Sequence, residues 1–172
     1  MVLVETPSYE ATKKLGDVEI RRYPQLFLAT AKGDADLFGL LFRYISGANK
    51  GSSKISMTAP VITPEEISMT SPVVTDANSM SFIVPSKYTR ETIPEPTDPH
   101  VTINEQPARS LAVLRFSGLA RSDTVEKKKK VLLETLRINN METRGDVIVM
   151  RYNPPFTPWF LRRNEVAVEV NI

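Results

Sequence analysis

The chain has 172 residues, 41% apolar and 24% charged, with a formal net charge of only +2. That length suits one well-packed core, so a single domain over residues 1–172 is expected, and the lack of cysteine excludes disulfides, thiolate nucleophiles, iron–sulfur clusters and cysteine-based zinc sites. No apolar run approaches the roughly 20 residues that span a bilayer, and the opening MVLVETPSYE has no basic segment followed by an apolar one. A cytoplasmic monomer with no membrane partner is therefore expected.

A strand signal opens at EIRRY (19–23), and a second apolar run covers 25–32 until Gly33 ends it. From Asp34 the period becomes helical. Asp34 or Asp36 is placed to cap, Leu37, Leu40, Leu41, Tyr44 and Ile45 recur at three- and four-residue steps, and Gly47 supplies the stop. Residues 54–75, KISMTAPVITPEEISMTSPVVT, then write one phrase twice with a spacing of twelve. Each copy is β-branched and interrupted by a proline that cannot donate to a ladder. This predicts a hairpin or extended β-loop, with proline at an edge, strand end or bulge and a turn at Pro64-Glu65-Glu66. A short strand at 80–84 and a proline-rich surface connection over 85–99 follow.

The second half repeats this order, with strands at 101–104 and 111–116, a break at Gly118, a helix over 123–139, and strands at 146–152 and 164–170. Asp123 and Glu126 have capping-box spacing. The helix turns Val125, Leu132, Leu133 and Leu136 towards a core and the lysines at 127–130 towards solvent, which argues against a nucleic-acid surface. Two β-α-β-β halves, about 9–85 and 100–172, imply an α+β fold. It is a distorted antiparallel β-barrel or curved sheet flanked by two long helices, with a pseudo-two-fold axis and a groove where the halves meet.

The first helix is apolar over more of its circumference than one packed face needs. At about 100° per residue, Phe38, Phe42 and Ile45 are rotated roughly 80–140° from Leu37. Phe38 and Phe42 form an i,i+4 pair that either lies under a loop or lines a groove, with Arg43 beside it for a carboxylate. The segment YNPPFTPWFLRRNEV (152–166) holds the chain's single tryptophan. Its prolines stiffen a loop whose Phe156, Trp159 and Phe160 either plug the core or form the opposite lip, with Arg162 or Arg163 available to anions or one of them paired with Glu165. The single histidine, His100, sits in a Pro-flanked connection far in sequence from both segments.

The motifs YISGANKGSSKISMTAPV, FIVPSKY, PEPTDPHV and YNPPFTPWFLRRNEV, in this order between about Tyr9 and Val170, resemble the SOUL/haem-binding protein family. The resemblance implies the barrel-and-two-helix fold. It also implies non-covalent binding of haem or another tetrapyrrole, as carrier or buffer, in a hydrophobic groove between the first helix and the loop before the last strand. Carried over by motif position, the ligand-binding residues are Phe38, Phe42 and Arg43 on the helix and Phe156, Thr157 and Trp159 on the loop. Phenylalanines here replace methionines common on that helix in the family.

No histidine stands where some members have a proposed axial ligand, so strong iron ligation and a protein metal site are not expected. Met57, Met69 and Tyr44 are poor substitutes. No catalytic residues are assigned. The alternatives are an effector-binding module for other hydrophobic or cationic molecules, which needs an unpaired groove carboxylate among Glu19, Glu165 and Glu169, and a small hydrolase.

Overall fold

The computed structural model describes residues 5–33, 35–53, 61–63, 67, 69–154 and 156–172. In chain order the elements are β1 (Glu10–Leu15), β2 (Val18–Tyr23), β3 (Leu26–Lys32), α1 (Leu37–Ile45), β4 (Asn49–Ser53), β5 (Val61–Thr63), β6 (Val73–Thr75), β7 (Ser79–Ile83), β8 (Glu95–Pro96), β9 (Val101–Gln106), β10 (Arg109–Ser117), α2 (Ser122–Ile138), β11 (Thr143–Arg151), a 3₁₀ turn (Trp159–Leu161) and β12 (Arg163–Val170). Nine strands form one antiparallel sheet in the order β1-β2-β10-β12-β11-β6-β7-β3-β9, and β5-β4-β8 form a small second sheet.

The nine-stranded order carries the internal repeat. Matching β2, β3, α1, β6, β7 to β9, β10, α2, β11, β12 turns β2-β10-β12-β11 into β9-β3-β7-β6, the other half of the sheet. The first strand of each half crosses over to pair with the second strand of the other, β2 on β10 and β9 on β3. The two β-α-β-β units are thereby interlocked rather than side by side.

Register decides which side chains share a face. The cross-strand row Val18, Leu114, Val166, Val149, Thr75, Met80, Ala31, Val101 runs from β2 to β9 along one face. At one end of that face α2 buries Val125, Leu132 and Leu136 against Ile20, Ala112, Val166 and Val168. At the other, α1 buries Leu40, Leu41, Tyr44 and Ile45 against Ala29, Ala31, Phe82 and Val101. Both helices therefore lie on the same face. The opposite face curls on itself, bringing Tyr23 and Leu111 of one half opposite Leu26 and Leu28 of the other around Val74, Ile83 and Met150.

Several local readings need correction. Where the two copies of the repeated phrase are described, their strands do not pair with each other. Val61–Thr63 joins β4, whereas Val73–Thr75 lies between β7 and β11 in the main sheet. Pro72 stands immediately before its strand, the position a residue without an N–H tolerates; Pro64-Glu65-Glu66 and Met57 lie outside the described residues. The N-cap of α2 is Arg121, with no side-chain cap, so Asp123 and Glu126 form no capping box. Leu133 is exposed because it is rotated about 100° from Leu132, beyond the stripe that reaches the sheet. The 85–99 connection is not wholly superficial, since Tyr88 and Pro94 are buried and Glu95–Pro96 pairs with β4. Strands β1 and β4 carried no clear sequence signal. Among the described residues, no helix is long and apolar enough to cross a membrane.

Candidate functional site

Asp36 starts α1: its side chain accepts a hydrogen bond from the Gly39 N–H at 3.0 Å, satisfying one of the first-turn donors. The cap fixes the helix phase and with it the orientation of the two phenylalanines. Phe38 and Phe42 stack at a 6.1 Å centroid distance and 14° between planes, and they remain 45% and 52% exposed. Phe38 also meets Phe82 of β7 edge-on at 5.5 Å, so the pair sits on the flank of α1 that faces β7 and β6. Arg43 is exposed, about 100° round the helix from Phe42, and close enough to Asp98 to contribute to that carboxyl's lowered pKa, behind the hydrogen bonds from His100.

The helices leave a strip of sheet between them. Helix α1 packs over β7, β3 and β9, and α2 over β10, β12 and β11, with β6 in the middle. From β3 to β12 is four strand spacings, about 19 Å at ~4.8 Å each, and a helix is about 10 Å across. On those spacings the strip between the helices would be roughly 9 Å wide. Its floor is the half-buried row Val73, Thr75 and Arg151.

The Arg151 Nη1 donates to Thr75 Oγ1 at 2.9 Å, and burial alone draws this guanidinium below its ordinary value. Among the described residues no carboxylate pairs with it.

At the end of β11 the chain leaves the sheet through Tyr152 and returns at Arg163. Asn153 Oδ1 accepts from the Arg163 N–H at 2.6 Å, Thr157 N–H donates to Pro154 O at 3.0 Å, and Arg162 Nε donates to Thr157 O at 2.9 Å. This framework holds the loop while leaving Phe156 86% and Trp159 60% exposed, with Phe160 and Leu161 exposed beside them. None of these side chains plugs the core. Thr157 is half-buried and is engaged through its backbone. The loop departs from Arg151, two strands from Phe82 and the α1 pair.

The opposite, curled face is filled and closed. Its centre is Glu165, fully buried. Arg21 grips it with two bonds of 2.9 Å, Tyr152 Oη donates at 2.6 Å, and Arg163 donates through Nη2 at 2.8 Å and Nε at 3.2 Å. Burial works to raise the Glu165 pKa, but the bonds from Arg21, Tyr152 and Arg163 prevail and hold it below the usual carboxylate range. Arg21 also donates to Glu19 and Tyr23, and Arg109 lies 3.7 Å from Glu169. All three candidate cation-binding carboxylates are thus paired with arginine. The hollow on this face, lined by Tyr23, Arg109 and Leu111 among others, holds about 30 Å³, room for two or three waters at roughly 10–15 Å³ each.

His100 is exposed at the start of the edge strand β9, with Nδ1 2.9 Å from Asp98. It lies three strands from β6, beyond α1. Tyr44 is buried and donates its hydroxyl to Pro94 O at 2.6 Å, and Met69 packs in the α1 core. Among the described residues, no group of three or more His, Asp or Glu side chains could hold a metal. A separate cleft of about 480 Å³ opens between Glu5–Ser8, Pro24–Phe27 and Val84–Tyr88.

A curled antiparallel sheet with two helices on one face defines the α+β class of this fold. The sequence model of the SOUL heme-binding protein family matches residues 4–169, and the chain belongs to that family. It is 26% identical to Heme-binding protein 2 of Mus musculus over 186 residues, covering 96% of this chain and 90% of the mouse protein. The fold is also that of the EcmrR C-terminal domain (TM-score 0.59, 10% identity, covering 95% of this chain and 98% of that one). A hydrolase from Listeria innocua is similar too (TM-score 0.53, 11% identity, covering 88% and 91%).

At such identities these two structures speak for the fold alone. Sequence reasoning found the exposed aromatics by their helical phase and proline stiffening. It missed Arg151, because an arginine ending an apolar strand has no signal until its neighbours are known.

Proposed function

We propose that this protein binds haem or another tetrapyrrole, non-covalently, in the channel between α1 and the 152–163 loop, with β6 as floor. The observation that carries the reading is the stacked, half-exposed Phe38–Phe42 pair on the flank of α1 that faces this channel. Exposed large apolar surface is informative where a scattered apolar residue is not, and flat rings bind well by stacking on flat rings. Phe156 and Trp159 form the second wall, on a loop that loses little entropy on binding because its prolines and internal bonds already fix it. The family's description and the mouse relative's name point to the same ligand class.

The residues fit the macrocycle better than they fit its iron. Aromatic walls and a floor guanidinium suit an apolar ring with acidic substituents, whereas His100 stands across α1 from the channel. Binding is accordingly by apolar burial, with weak or no axial ligation, and the protein acts as a carrier or buffer rather than an enzyme. The cationic-effector reading is disfavoured because Glu165 already takes bonds from two arginines and a tyrosine.

The location is tested by mapping amide chemical shifts while metal-free protoporphyrin IX is added. Ring-current shifts centred on residues 38–42, 73–75 and 156–160 are expected. Shifts centred on residues 24–27 and 84–88 would instead move the ligand to the 480 Å³ cleft.

A further inference from the structure

Three buried or half-buried arginines in the described structure have a carboxylate to answer them. Arg21 and Arg163 share Glu165, and Arg109 lies beside Glu169. Arg151 has none among the described residues: it is a half-buried guanidinium with five N–H donors whose side-chain bond there is to the neutral hydroxyl of Thr75. Withdrawing a cation from water without a counter-charge is unfavourable, so a position that keeps one invites an anionic occupant.

Its surroundings say which kind. Arg151 neighbours Val73, Val73 neighbours Phe82, and Phe82 meets Phe38 edge-on. The guanidinium thus lies about two strand spacings, roughly 10 Å, from the base of the aromatic wall and on the same face. An apolar ring resting on Phe38 and Phe42 would bring an acidic edge group over Arg151.

We infer that Arg151 is the carboxylate-recognising residue of this channel, with Thr75 holding its guanidinium in place, so that the site selects tetrapyrroles bearing free acid side chains over their neutral counterparts. The inference rests on the tetrapyrrole reading above and adds its specificity. Arg162 and Arg163, the arginines that the sequence offered for this task, are engaged elsewhere, one with Thr157 O and the other with Glu165. Arginine suits the role because its planar fork meets both oxygens of a carboxylate, a geometry lysine lacks.

The test compares protoporphyrin IX with its dimethyl ester, which keeps the ring and removes the charge. Wild-type protein is expected to bind the free acid roughly tenfold or more tighter than the ester. Arg151→Met should erase that preference while leaving ester affinity within about twofold, and Arg151→Lys should retain part of it. Thermal unfolding of each variant checks that the fold persists. A merely structural Arg151 would weaken acid and ester equally, which overturns the inference. Equal affinity of wild type for acid and ester overturns it too while leaving tetrapyrrole binding intact. Failure of both porphyrins to saturate wild type overturns the functional reading and this inference together.

Discussion

Arg21 and Glu165, 144 residues apart in sequence, meet as a two-pronged ion pair with both N–O distances at 2.9 Å. The pair joins β2 to β12 across β10 on the curled face, at the point where the first strand of one repeat crosses into the other. It is therefore a clasp between the halves. Tyr152 and Arg163 complete it from the loop, so the same carboxylate also anchors both ends of the segment carrying Phe156 and Trp159. The guanidiniums are in turn stacked, Arg21 over Tyr9 at 4.2 Å and Arg163 over Tyr152 at 4.1 Å.

Glu165→Gln is expected to destabilise the protein by about 3 kcal/mol or more, since it leaves two arginines facing a neutral amide in a dry setting. Urea unfolding measures this. A change within about 0.5 kcal/mol, the range of ordinary surface substitutions, would show that the clasp is not structural.

The same carboxylate sets the acid limb of stability. Its folded-state pKa lies below the ordinary glutamate value of about 4.5, so protonation favours the unfolded chain. The contribution is fully present above about pH 4.5 and is lost as pH falls through the lowered folded value. At the other end, burial pushes the Tyr152 and Tyr23 phenols above their ordinary 10, so their contribution is present below about pH 10 and declines above it. Glu165→Gln should make the acid limb of a melting-temperature profile shallower. An unchanged acid limb contradicts this assignment.

Asp36 and Gly39 act as one unit at the start of α1. A Cβ at position 39 would collide with the Asp36 carboxylate, so Gly39→Ala displaces the cap it should otherwise leave alone. Asp36→Ala alone should cost about 1 kcal/mol. Gly39→Ala should be neutral or destabilising in the native background, yet stabilising by about 0.5–1 kcal/mol once Asp36 is alanine, because only helix propensity then remains. Additive effects in a double-mutant cycle would disprove the coupling.

His100→Ala should leave haemin affinity within about twofold and the bound Soret spectrum unshifted, since the imidazole lies on the outer strand with Asp98. A shifted Soret band would mean that the imidazole reaches the iron, and the placement of the ligand over β6 would be wrong.

Much of this architecture was legible in the sequence because it rests on local periodicity. The apolar steps of Leu37, Leu40, Leu41 and Tyr44 reported α1, the alternation ending at Val170 reported β12, and the recurrence of strand, glycine and long helix reported the repeat. What could not be read was long-range pairing. The doubled phrase looks like a hairpin because its copies are adjacent, yet β6 finds better partners in β7 and β11 of the main sheet. Glu10–Leu15, lysine-bearing and exposed, is a strand only because β2 offers it an edge.

The site divides in the same way. Phe38 and Phe42 were visible from helical phase, but Arg151 required the strand order. The roles of Arg163 and Glu165 depend on a partner 144 residues upstream that no spacing rule reaches.

The most direct test of the account is titration of the purified chain with haemin, following the Soret band and Trp159 fluorescence together, in wild type and Phe42→Asp. The account predicts one-to-one saturation with quenching of Trp159, and affinity lowered about tenfold or more by the charge placed in the aromatic wall. Phe42 is 52% exposed, so the variant should still fold. A linear, non-saturating Soret response, or saturation that Phe42→Asp leaves unchanged, would contradict it.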